Sequence, residues 1–119
     1  MSRVILYEAA RKNNKLDDLV FTDVGGDRES ATHVAFSTPV GNFLLPLQAW
    51  EGEGPKWEFQ GSVDNPTVSP AVRRLDSSGD PDNLADHFFL IDGEVRYLPD
   101  CQHHLAGKKI QLEECRLLL

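Results

Sequence analysis

Apolar and polar positions alternate along this chain in short bursts with a period of two. Nowhere do they recur over a long stretch with the 3.6-residue period of a helix. Residues 4–9 and 19–24 read as strands, separated by a turn at 13–15, and Gly25-Gly26-Asp27 ends the second. Residues 33–37 and 42–47 flank Thr38-Pro39-Val40-Gly41, which predicts a hairpin with a four-residue loop. Pro46 has no N–H for a ladder, so the second of these strands is predicted to lie at an edge or to end there. Residues 51–55 form a loop. Residues 56–60 then alternate strictly and put Trp57 and Phe59 on one half-buried face, as core rather than as a ligand groove. After a turn at 61–66, residues 67–75 run extended through Pro70, and the polar stretch 76–83 is an exposed loop.

The clearest hairpin is the next one. Residues 87–91 are a buried-strand run, Asp92-Gly93 is the strongest two-residue turn signal, and residues 94–98 alternate back. Pro99-Asp100 stops the return strand, residues 101–107 make a turn or one helical turn, and residues 109–112 form a last strand. The expected fold is α+β but mostly β: a compact, antiparallel, hairpin-rich domain with little helix, spanning residues 1–119 as one unit.

Composition narrows the function classes. The chain has 119 residues, 40% of them hydrophobic, which fits one packed core. Its 19 acidic and 12 basic residues give a net charge of −7, which argues against nucleic acid and anionic membranes as partners. No apolar run approaches the roughly 20 residues that cross a bilayer. The apolar start at residues 4–7 is cut short by Glu8, so no secretory signal is read. Cys101 and Cys115 make no disulfide framework and read as free thiols in a reducing compartment, the cytoplasm.

The candidate chemistry lies at the open end of the Asp92-Gly93 hairpin. The hairpin returns the chain so that Asp86 and His87 meet Asp100, Cys101 and His103. Three readings of that cluster stand side by side. Asp86, His87, Cys101 and His103 include the ligand types that hold zinc, although their spacing is not that of a finger. A thiol or hydroxyl near an imidazole and a carboxylate is also the constellation of acyl transfer, with Cys101 or Ser69 as nucleophile. Or His87 and His103 only satisfy backbone groups and Cys101 fills space. His33 and His104 have no suggestive neighbours in sequence.

Five short motifs occur in order: WEFQG at 57–61, NPTVSP at 65–70, HFFLIDGEV at 87–95, LPDCQH at 98–103 and LAG at 105–107. Together they resemble the small phage and bacterial domain family often mislabelled "ammonia monooxygenase". That family is related to the BubE peptidase-like proteins of bacterial ubiquitin-like operons. The resemblance covers about residues 34–112. It implies a compact β-rich fold, a histidine-containing site and a peptidase-like role on a ubiquitin-like or host protein in a bacterial cytoplasm.

Two departures mark a divergent member. The family pattern ends Ser-Pro-Ser with the last serine as nucleophile, whereas here it ends Ser69-Pro70-Ala71. Cysteines that relatives carry before two of the strands are replaced here by residues 38–41 and by Asp86.

The leading expectation is a peptidase-like accessory domain, active or degenerate, acting on or binding a protein tail. His87 would be the base, Ser69 or Cys101 the nucleophile, and Asp100 or His103 the group that orients the base. One alternative is an acidic, non-enzymatic phage protein that binds and inhibits a host defence protein. The other is a small structural zinc domain built on Asp86 or His87 with Cys101 and His103.

Overall fold

The computed structural model describes residues 3–14 and 18–119, so Lys15 of the first predicted turn lies outside the described residues. The fold is mostly β, with two antiparallel sheets. Helix among the described residues is limited to one 3-10 turn at Lys12–Asn14. The first sheet has the order β2-β1-β3-β4, from β1 (Val4–Arg11), β2 (Leu19–Asp23), β3 (His33–Thr38) and β4 (Gly41–Pro46). The second is a meander of β5 (Glu58–Gly61), β6 (Pro66–Leu75), β7 (Leu84–Ile91), β8 (Glu94–Tyr97) and β9 (Lys109–Gln111).

The inward faces of the two sheets share one core. Val4, Leu6, Val34, Phe36, Phe43 and Leu45 of the first sheet pack with Val68, Val72, Phe88, Leu90 and Val95 of the second. Phe88 sits at the junction, edge-on to Phe36 at 6.0 Å and to Phe43 at 5.2 Å between ring centroids. Such edge-to-face pairs set the negative face of one ring against the positive edge of another.

Turn chemistry fixes the hairpins. Asp92 and Gly93 both take positive φ, 50° and 76°, as the tight two-residue turn between β7 and β8 requires. The β3–β4 loop is tighter than the predicted four residues. Thr38 pairs with Gly41, so only Pro39 and Val40 lie between the strands. As Pro46 predicts, β4 is an edge strand and ends at that proline. Trp57 makes only an isolated parallel bridge to Leu47, and β5 proper begins at Glu58.

Strand β6 carries the main irregularity. Val68 pairs with Leu90 and Val72 with Phe88, so extra residues bulge out of β6 around Ser69, Pro70 and Ala71. Beyond the bulge the register resumes, with Arg73 opposite His87 and Arg74 opposite Asp86.

Candidate functional site

Strand β7 alternates cleanly, and this sorts the candidate residues. Leu84, Asp86, Phe88 and Leu90 are buried, while Ala85, His87, Phe89 and Ile91 face the other way. The hairpin does bring the 86–87 and 100–103 segments together, as the sequence predicts. It does so as two separate pairs on opposite sides of the strand rather than as one cluster.

The inward pair is Asp86 with His103. Asp86 is fully buried, and its carboxylate accepts from both sides. Arg74 donates to Oδ2 through Nε at 3.0 Å and Nη2 at 2.7 Å. His103 Nε2 lies 2.8 Å from Oδ1, while its Nδ1 accepts the backbone N–H of Leu105 at 3.1 Å. With Nδ1 accepting, the proton sits on Nε2 and is donated to Asp86, so both nitrogens of a neutral His103 ring are engaged. The ring stands edge-on to Tyr97 at 4.6 Å. The Tyr97 hydroxyl is buried near Thr38 but out of hydrogen-bonding geometry, and burial raises its pKa. These contacts make His103 and Asp86 a packing and charge-satisfying unit. His103 does not orient His87.

The outward pair is His87 with Asp100. His87 Nδ1 lies 2.9 Å and 3.0 Å from the two carboxylate oxygens of Asp100. The imidazole is 18% exposed and the carboxylate 55%. A carboxylate at Nδ1 holds the proton there and leaves Nε2 with its lone pair, the arrangement a general base needs. Among the described residues nothing hydrogen-bonds Nε2.

The candidate nucleophiles are not joined to that base. Cys101 is buried, its thiol donates to the Leu98 carbonyl at 3.2 Å, and burial raises its pKa. A raised pKa keeps it a thiol, and the thiolate is the nucleophile. Ser69 is exposed on β6 opposite Glu58 of β5, across the bulge from Arg73, the residue that faces His87. Among the described residues, no hydrogen bond links the His87 imidazole to the Ser69 hydroxyl or the Cys101 thiol.

The four zinc candidates divide in the same way. Asp86 and His103 meet inside, His87 turns outward to Asp100, and Cys101 faces a backbone carbonyl. No group of three or more His, Cys, Asp or Glu side chains among the described residues is gathered as for one cation. Cys101 and Cys115 are both free and buried, in separate apolar clusters.

Sequence reasoning passed over two features. Arg74 is one; Arg73-Arg74 near the end of β6 and Asp86-His87 near the start of β7 are a cross-strand charge signal once the two strands are paired. The other is a cavity of about 500 Å³ lined by Pro55, Trp57, Pro70, Ala71 and Arg73. Trp57 packs against the core as predicted, and it also forms a wall of this cavity. Among the other histidines, His33 is buried between Phe21 and Trp50, and His104 is exposed.

Comparison with protein-family models, with curated proteins and with solved structures gave no match.

Proposed function

We propose that this chain is a peptidase-like domain that binds a protein tail and has lost the ability to cut it. The observation that carries the proposal is the His87–Asp100 pair. It is built as an oriented base, with Nδ1 held at 2.9 Å and Nε2 left open, yet neither Ser69 nor Cys101 is hydrogen-bonded to it. A base with no nucleophile within hydrogen-bond reach has nothing to activate for acyl transfer.

The position of Ala71 supports the same reading. The resemblance to the BubE peptidase-like proteins puts the nucleophilic serine at this residue, and a methyl group cannot attack a carbonyl. Ala71 instead lines the open cavity beside Trp57 and Arg73.

Covalent probes test this directly. The protein would be treated with a fluorophosphonate for serine and a thiol-selective vinyl sulfone for cysteine, beside a His87→Ala control. The expected result is no labelling that depends on His87. Labelling of Ser69 or Cys101 that disappears in the control would show a working nucleophile and overturn the proposal.

A further inference from the structure

The cavity on the outer side of β6 has a composition that specifies its occupant. Its walls are Pro55, Trp57, Pro70 and Ala71, which are apolar, and its one charged lining residue is Arg73. The molecule's other strand arginines are engaged: Arg74 by Asp86, Arg96 by Glu94, and Arg11 by Glu51 and the Trp50 ring. Arg73 makes no ion pair or side-chain hydrogen bond among the described residues. It lies opposite His87 in the β6–β7 register, on the same face of the sheet. The indole N–H of Trp57 is buried and has no hydrogen-bond partner among the described residues.

A lone guanidinium beside an apolar cavity calls for a carboxylate carried next to an apolar group. Arginine binds carboxylates through paired N–H donors, so the match is geometric as well as electrostatic. The net charge of −7 disfavours a partner rich in acidic residues, because the molecule as a whole repels it. One carboxylate, not a run of them, is therefore indicated. The last residue of a polypeptide carries a carboxylate and a side chain on the same carbon. An internal Asp or Glu holds its carboxylate on a flexible stem and borrows its apolar neighbour from another residue, so ordering the two together costs more side-chain entropy.

We infer that this cavity receives the free C-terminus of a partner polypeptide, with Arg73 on the terminal carboxylate and an apolar last side chain against Trp57, Pro70 and Ala71. The inference rests on the tail-binding reading and names the part of the tail that is bound. Capture of chain termini by fixed donors is a known mode of peptide recognition.

The test is a peptide array probed with the full chain. Each heptapeptide has varied internal positions and ends in Leu, Phe or Asp, and each is made both as a free acid and as a carboxamide. Free acids ending in Leu or Phe are expected to retain the protein at least tenfold better than their carboxamides. Arg73→Gln should erase that difference and Arg73→Lys keep part of it, while Ala71→Trp, which fills the cavity, should weaken binding of every peptide. Arg73 is exposed on a strand, so its substitution leaves the fold intact. Equal binding of acids and amides, or amides with an internal Glu binding as well as the acids, overturns terminal capture and leaves tail binding standing. No binding of any peptide overturns both.

Discussion

Two aspartates with the same kind of partner show how much the surroundings decide. Asp86 and Asp100 each face a histidine at hydrogen-bond distance, but Asp86 is fully buried and Asp100 is more than half exposed. Removing one partner of a buried ionic group strands the others, at a typical cost of about 3–5 kcal/mol. Arg74 is half exposed and regains water when Asp86 is lost, so Asp86→Ala should cost about 3 kcal/mol, at the lower end of that range. Asp100→Asn should cost less than about 1 kcal/mol, as exposed pairs do. Urea unfolding of the two variants measures the contrast, and equal losses would contradict it.

His33 gives a pH dependence. Burial between Phe21 and Trp50 lowers its pKa below the usual 6.5. The unfolded chain therefore takes up a proton at a pH where the folded chain still refuses it. The stability linked to His33 is present above pH 6.5 and is lost as pH falls below that value toward the folded pKa. Melting curves from about pH 7.5 to about pH 5.5 should show the wild type losing more stability than His33→Gln over this window. Parallel losses in the two proteins would refute the assignment.

At the level of elements, what was legible in the sequence is what local chemistry fixes. The Asp92-Gly93 turn dictates its own backbone angles, and the alternation from residue 87 onward dictates which side chains turn inward. The strand begins at Leu84 rather than at His87 because pairing with β6 extends it, and pairing is not a local property. The bulge around Ser69, Pro70 and Ala71 was hidden for the same reason. Only the register on β7 reveals that more residues of β6 stand against fewer of the partner.

That register also decides the site. Sequence proximity put Asp86, His87, Cys101 and His103 into one volume, whereas the period of two across β7 sends neighbours to opposite faces. The pairing of His87 with Asp100 was readable from the hairpin. The binding of Asp86 by Arg74 needed the β6–β7 pairing as well. The cavity beside Arg73 needed more still, because its walls come from segments that meet only when β5 joins β6.

For the whole molecule, the mostly β class followed from periodicity, but the division into two sheets did not. Nothing local tells β4 to end one sheet and β5 to begin another. Nor does periodicity assign a place to residues 113–119, which form no strand yet cross the outer face of the first sheet. Cys115 packs there with Tyr7 and Ala35, joined by Leu117, Ile5 and Leu44. The backbone N–H of Arg116 donates to Ser37 Oγ at 2.7 Å, and that of Leu119 donates to the Tyr7 hydroxyl at 3.2 Å. The Arg116 guanidinium donates to the Thr38 carbonyl.

This strap covers the side of the sandwich opposite Arg73, so its removal separates stability from binding. A chain ending at Leu112 keeps the main core, since Leu112 belongs to it, but bares the apolar patch around Ala35 and Tyr7. Its melting temperature should fall, by roughly 4 °C for each kcal/mol lost at this chain length. Binding of an apolar-surface dye should rise as the patch is exposed. Discrimination between free-acid and amidated peptides should persist in the shortened chain at temperatures where it stays folded, because the hydrogen bonds and packing partners of the strap described above all lie on the first sheet. If that discrimination vanished while the fold survived, terminal capture would have to involve the first sheet as well as the second.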